Sequence, residues 1–119
     1  MNCIEIKIVL YFFKYPKLFE DCKFYFHGEF NVFPKEELIK LIQIAGGTIL
    51  KREPKVERAD ELKSEELPHH IDPKCPFKCS NFILYEMTKV KEIKHEYLRT
   101  VKPSWVFNCI DYFKIIYPE

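Results

Sequence analysis

Four side chains near the middle of the sequence are of the types that bind zinc. His69 and His70 are followed by Cys75 and Cys79, and imidazole nitrogen and thiolate sulfur are preferred zinc ligands. Their spacing matches no common structural zinc site. Cys79 also begins a stretch expected to be a buried strand, where a free cysteine packs as a small apolar side chain. The sequence therefore favours no metal site and no other cofactor.

A cysteine nucleophile would need a base beside it in an electropositive pocket. Cys22 and His27 lie five residues apart in one expected strand, so their side chains should point to opposite faces. The sequence contains neither a phosphate-binding P-loop nor a paired-carboxylate motif. These patterns predict that the protein is not an enzyme.

The charge balance gives no reason to expect a dedicated nucleic-acid binder. The 119 residues include 19 lysines and arginines against 18 acidic residues, for a net charge of +1, whereas such binders usually present a strongly basic face. The mixed-charge segment 51–58 is interpreted as a solvated loop, with contact to nucleic acid or chromatin as the alternative.

The elements that must position these side chains alternate between strand and helix. Mostly aromatic residues 22–27 predict a first strand ended by Gly28. Pro34 opens an amphipathic helix whose apolar residues recur through 38–45, and Gly46-Gly47 closes it. Residues 48–50 predict a short buried strand. The charged, proline-containing stretch 52–78 shows no sustained period and predicts a long loop.

The second half of the chain continues the same alternation. Residues 79–85 predict a third strand, 89–98 a short polar helix, and Val101 belongs to a fourth strand. Pro103 opens a final helix with apolar residues at helical spacing. Its expected stripe consists of Trp105, Cys109, Tyr112 and Ile116, with Val106, Ile110 and Phe113 beside it. This order predicts a mainly parallel sheet with helices on its faces.

The length of the chain and its number of cysteines limit the class of protein. A chain of this length with 47% hydrophobic residues fits one domain with a packed core. Five cysteines are an odd number, and the apolar run 4–13 contains charges, lacks a cleavage site and is too short to span a membrane. We therefore expect free thiols in a reducing compartment, the cytosol or the nucleus, and no membrane association.

Three features resemble the BRCT domain family. They are the Gly46-Gly47 pair after the first helix, Trp105 and Cys109 in a Trp-x-x-x-Cys pattern in the last helix, and the first strand ending at Gly28. Trp105 and Cys109 lie one helical turn apart, so both should face the sheet. The segments 16–25, 34–41, 79–86 and 103–105 look most like the second, C-terminal repeat of a tandem BRCT region.

The resemblance implies an α/β fold with a small four-stranded parallel sheet, two helices on one face and a short one on the other. It covers residues 17–118, with a long variable loop at about 52–78. Residues 1–16 are expected to be an N-terminal extension or the end of a preceding linker.

The resemblance also implies a degenerate phosphate site. In tandem BRCT regions, which read phosphopeptides, a Ser or Thr beside a Gly after the first strand and a Lys in the second helix hold the phosphate. His27-Gly28 occupies the first position here and lacks the hydroxyl, and Lys91 is the candidate for the lysine. Phe33 corresponds to a residue of the groove that reads residues after the phosphate. The alternative is that Phe33 only fixes its loop.

The function implied is that of a non-catalytic interaction module in a nuclear DNA-damage-response protein. The chain would be the C-terminal half of a tandem unit that docks on a preceding repeat, through helix 38–45 or the N-terminal run, and helps bind a phosphorylated or chromatin-associated protein. A RING-domain heterodimer partner is implied only through regions outside this chain. The alternative is a stand-alone domain that binds DNA ends or poly(ADP-ribose).

Overall fold

Four parallel strands form one sheet in a computed structural model that describes residues 17–62, 70–71, 79–93, 95 and 97–116. In spatial order the sheet reads β2-β1-β3-β4, and every strand pairs parallel to its neighbour. The strands are β1 (Lys23–His27), β2 (Thr48–Ile49), β3 (Asn81–Tyr85) and β4 (Leu98–Val101). The predicted α/β class and four-stranded parallel sheet are confirmed.

Aromatic side chains of the two central strands build the core. Phe24 and Phe26 of β1 alternate with more exposed neighbours and are buried, as the two-residue period of a strand requires. Phe24 stacks on Phe82 of β3, with ring centroids 5.3 Å apart. Both side chains lie on the face of the sheet that carries the two α-helices.

The first helix, α1 (Lys35–Ile44), begins after Pro34 and buries Leu38 and Ile42. Acidic residues in its first turn suit the positive end of the helix dipole. At its end Gly46 has φ of +97°, which is unfavourable for any residue with a Cβ. Gly46 therefore closes the helix as predicted.

Gly47 has a different role, because another chain segment lies too close for a side chain. A Cβ added at this position would lie 2.5 Å from Ile42 Cγ2 and 3.2 Å from the Phe24 ring. The absent side chain lets the chain turn from α1 into β2 directly against the core.

The last helix, α2 (Pro103–Tyr112), packs on the same face as α1 and buries Trp105, Cys109 and their apolar neighbours. The predicted stripe was wrong at its end. Tyr112 is 71% exposed, and Phe113 adopts a left-handed φ of +50° that ends the helix. Ile115 is buried after this turn, so residues 113–116 no longer follow helical periodicity.

The element that lies on the second face of the sheet, opposite α1 and α2, is shorter than the helix predicted for residues 89–98. A 3₁₀ helix (Val56–Leu62), within the predicted loop 52–78, places Leu62 beside Ile83 and Leu98. No helix is found among the described residues of 89–98, so that prediction was wrong. The physical reason is that Ile93 exchanges hydrogen bonds with Thr100 at 3.2 and 3.3 Å, which aligns this segment with β4.

Among the described strands, the short strand β2 lies at the edge of the sheet and pairs with β1. Thr48 is exposed and Ile49 is half-buried, so the predicted burial of this strand was wrong. An edge strand has a neighbour on one side only, and its side chains keep more contact with water.

Among the described residues, no helix combines the length and apolar character needed to cross a bilayer.

We predict that Gly47→Ala lowers the free energy of unfolding by about 1–3 kcal/mol, because the added methyl overpacks the contact with Ile42 and Phe24. Urea denaturation followed by circular dichroism measures the change. The control Gln43→Ala, at an exposed position of α1, should stay within about 0.5 kcal/mol of the parent. Equal denaturation midpoints for Gly47→Ala and the parent would contradict the packing described here.

Candidate functional site

The loops that follow β1 and β3 lie side by side at the carboxyl edge of the sheet. His27 at the end of β1 pairs with Tyr85 at the end of β3, and the Met87 N–H donates to the Glu29 carbonyl at 3.2 Å. The strand that follows β1 in sequence lies on one side of it, and β3 lies on the other. This reversal opens the crevice in which open α/β sheets usually bind ligands.

The carboxylate of Glu86 holds the loop that follows β1. Its Oε1 accepts hydrogen bonds from the backbone N–H groups of Asn31 and Val32, each at 2.7 Å, and its Oε2 accepts one from Phe33 at 3.2 Å. A single side chain on the neighbouring loop therefore satisfies three consecutive backbone donors. This arrangement fixes the direction of residues 31–33.

The same hydrogen bonds keep Glu86 ionised. Desolvation raises the pKa of the Glu86 carboxyl, but the three backbone donors together outweigh it, so the pKa lies below the usual value for a glutamate. The carboxylate is therefore fully charged at neutral pH.

Phe33 lies on this loop and is 36% exposed. Its ring centroid is 4.6 Å from that of Phe107 on α2, so one side of the ring packs on the helix and the other meets solvent. Val32 and Met87, on the two tied loops, are 70% and 53% exposed. We call the four residues Val32, Phe33, Met87 and Phe107 the Phe33 surface. This apolar surface is contributed by the two loops and by α2, and residues 31–33 of the first loop are held by the Glu86 carboxylate.

The residues at the expected phosphate position are arranged differently from a phosphate pocket. His27 Nδ1 lies 2.9 Å from Glu53 Oε1, so a carboxylate already occupies this nitrogen. Gly28 has φ of +73°, and a Cβ there would overlap Thr88. The Thr88 hydroxyl accepts a hydrogen bond from the Glu29 N–H at 3.4 Å.

Lys91 lies in the same cleft as His27, on the face of the sheet opposite to α1 and α2. This cleft, of about 390 Å³, is also lined by Glu53, Lys55 and Lys89. The structure thus brings His27 and Lys91 together and places Phe33 on the other side of the sheet.

Cys22 and Cys109 are buried thiols outside any disulfide, and they do not suit nucleophilic chemistry. Burial raises the pKa of Cys109 to about 12, and burial, reinforced by the nearby thiols, raises the pKa of Cys22 well above its usual value. A thiol with a raised pKa is protonated at neutral pH and is a poor nucleophile. Cys22 also points to the opposite face from His27, as the strand alternation predicts.

Of the four histidines and cysteines considered as zinc ligands, His69 and Cys75 lie outside the described residues. His70 packs against Phe113 with ring centroids 4.7 Å apart, and the Cys79 thiol donates to the Asn81 carbonyl. Within the described ranges, no group of three or more histidine, cysteine or acidic side chains is arranged to hold a metal ion.

A family model described as the BRCT domain matches residues 17–118. The chain belongs to the BRCT family. The Trp105 and Cys109 signature has a clear structural role in this BRCT domain, because both side chains hold the segment after α2. Trp105 Nε1 donates to the Ile116 carbonyl at 2.9 Å, and the Ile116 N–H donates to Cys109 Sγ at 3.5 Å.

Curated relatives share one name, BRCA1-associated RING domain protein 1. The human protein is 30% identical over 105 residues, and the mouse protein is 29% identical over 105 residues. Each alignment covers 85% of this chain and 14% of the relative. The Arabidopsis thaliana protein is 41% identical over 71 residues, or 55% of this chain and 10% of that protein. This BRCT chain therefore spans a small part of its relatives' length.

Sequence reasoning missed Glu86 and Thr88. Both act on the loop after β1 from more than fifty positions away along the chain, and only the pairing of β1 with β3 brings them close. The available signal was a carboxylate directly after a buried strand, where parallel strands end at a common edge. The sequence does not reveal which loop that carboxylate meets.

We predict that Glu86→Gln lowers the stability of the folded domain at neutral pH, because an amide accepts the three backbone N–H groups less strongly than a carboxylate. The folded-state pKa of Glu86 is lower than its unfolded value of about 4.3. Its contribution is therefore complete above the unfolded value and is lost as the pH falls through the folded value. Thermal unfolding from pH 7 to pH 3 should show the difference from the parent shrinking with acid.

The control Glu61→Gln, at an exposed position of the 3₁₀ helix, should track the parent at every pH. A difference between Glu86→Gln and the parent that is independent of pH would contradict the role of the ionised carboxylate.

Proposed function

We propose that this BRCT domain is a non-catalytic protein-interaction module of a nuclear DNA-damage-response protein. It serves as the C-terminal half of a tandem unit that binds a phosphorylated or chromatin-associated protein. The Phe33 surface is the observation that carries this proposal, because it presents apolar side chains on a loop already fixed in direction. A preordered contact surface loses little conformational entropy when a ligand binds.

The degenerate phosphate position supports a half-module. A phosphate group needs hydrogen-bond donors and positive charge, whereas His27 has no hydroxyl and is engaged by Glu53. Lys91 lines the same cleft as that carboxylate. We therefore assign the phosphate to a preceding repeat and the residues that follow the phosphate to the Phe33 surface.

The names of the relatives support the biological setting. They describe association with BRCA1 and a RING domain, and this chain aligns with 14% of the length of the human and mouse proteins. Partners contacted through a RING domain would use regions outside the aligned part.

Docking on a preceding repeat would use the outer side of α1. The core of the domain itself buries Leu38, Ile42 and Ala45, so these side chains are not available for docking. Ile44 is 41% exposed and is the apolar residue of α1 that faces outward. The N-terminal run 4–13, the alternative docking element, lies outside the described residues.

We predict that this chain alone binds a phosphoserine peptide weakly, with Kd of about 100 μM or higher. The probe is a peptide with phenylalanine among the residues after the phosphoserine, titrated into ¹⁵N-labelled protein. Amide shifts should concentrate at residues 31–33 and Met87, because the apolar side chain docks on the Phe33 surface. Phe33→Ser should abolish these shifts.

The matched control is Ile44→Ser, which removes an apolar side chain of similar exposure from α1 and should leave the titration unchanged. Submicromolar binding by this chain alone would contradict the half-module. Shifts that survive Phe33→Ser would contradict the assignment of the surface.

A further inference from the structure

We propose that the cleft on the second face of the sheet is a separate docking site for an acidic peptide segment that carries an aliphatic side chain. The cleft lies on the face formed by Tyr25, Ile83 and Leu98, whereas the Phe33 surface packs on α2 across the sheet. The proposal therefore goes beyond the proposed function and can fail independently of it.

The floor of the cleft is apolar. Ile83 of β3 and Thr100 of β4 are adjacent in register and point to this face. Val56, Val90 and Ile93 add further apolar lining, and Val56 is an exposed aliphatic residue. An aliphatic side chain of a ligand would remove apolar surface from water by packing on this floor, which favours binding.

The two walls are held by hydrogen bonds. The Arg58 N–H donates to the Lys55 carbonyl at 3.0 Å in the turn that opens the 3₁₀ helix. On the other side, the Ile93 N–H donates to Thr100 Oγ1 at 3.2 Å, and the Thr100 N–H donates to the Ile93 carbonyl at 3.3 Å. The volume of about 390 Å³ lies within the range of ligand-binding clefts.

The charges at the rim select an acidic partner. Three lysines, Lys55, Lys89 and Lys91, line the cleft against the glutamates Glu53 and Glu57. Glu53 is engaged by His27 at 2.9 Å. The lysine ammonium groups leave the rim with excess positive charge, which carboxylates of a ligand would complement.

Carboxylates fit this rim better than a phosphate ester does. A phosphate group concentrates its charge and needs convergent donors, but the Glu53 carboxylate occupies Nδ1 of His27, which lines the cleft. Spread lysines beside an apolar floor suit a peptide that alternates acidic and aliphatic residues.

The test is fluorescence anisotropy with the whole chain and a labelled peptide of sequence Glu-Asp-Leu-Glu-Asp-Val-Glu-Asp. The expected result is saturable binding that weakens as salt rises. A peptide with Gln and Asn in place of the acids, and one with Ser in place of Leu and Val, should each bind about tenfold more weakly.

The variant Lys89→Glu with Lys91→Glu should weaken binding of the acidic peptide about tenfold, the effect expected for reversing two exposed charges. The matched control, Lys35→Glu with Lys40→Glu, reverses two exposed lysines of α1 and should bind as the parent does. Phe33→Ser should also bind normally, which separates this site from the Phe33 surface.

Several results would overturn the proposal. These are absence of saturable binding, equal binding of the acidic and amide peptides, and normal binding by the Lys89 and Lys91 variant. Tighter binding of a peptide with phosphoserine in place of one acid would assign the cleft to phosphate esters. Displacement of the peptide by duplex DNA, with a steep salt dependence, would assign it to nucleic acid.

Discussion

The packing of Trp105 between the sheet and the segment after α2 is the interaction on which the rest of this structure depends. Its indole lies 4.7 Å from the ring of Phe82 and 6.3 Å from that of Phe19, measured between centroids. Its N–H is satisfied by the Ile116 carbonyl, which allows a polar group to be buried at little cost. Cys109, one turn later, accepts from the Ile116 N–H. One helix face therefore ties the core, the sheet and the segment after α2 together.

This core determines what the carboxyl edge of the sheet can do. Because the aromatic residues of β1 and β3 are locked on the helical face, the register that places Glu86 beside the loop of Phe33 is fixed as well. The loop then exposes apolar side chains while the Glu86 carboxylate holds its backbone in place. On the opposite face, the described elements are a 3₁₀ helix and residues 89–93, and a charged cleft lies between them. The Phe33 surface packs on α2, whereas the cleft lies beside the 3₁₀ helix on the other face. The two surfaces therefore differ in the elements that form them.

Local periodicity and spacing sufficed for the parts of the fold that depend on neighbours in sequence. The helical spacing in α1, the positive φ at Gly46 and the burial of Trp105 and Cys109 all follow from such patterns. The helix predicted for residues 89–98 was wrong because no local signal in the sequence shows that Thr100 would compete for the backbone of Ile93. The roles of Phe33 and Lys91 in binding stay predictions.

Trp105 is the only tryptophan of the chain, so its fluorescence reports directly on this central packing. The indole is 9% exposed, so we expect a blue-shifted emission from the native protein. On titration with urea, this emission should shift to the red in the same transition that removes the far-ultraviolet circular dichroism. Native emission typical of a solvent-exposed indole, or a red shift complete before the secondary structure is lost, would contradict the central role of Trp105.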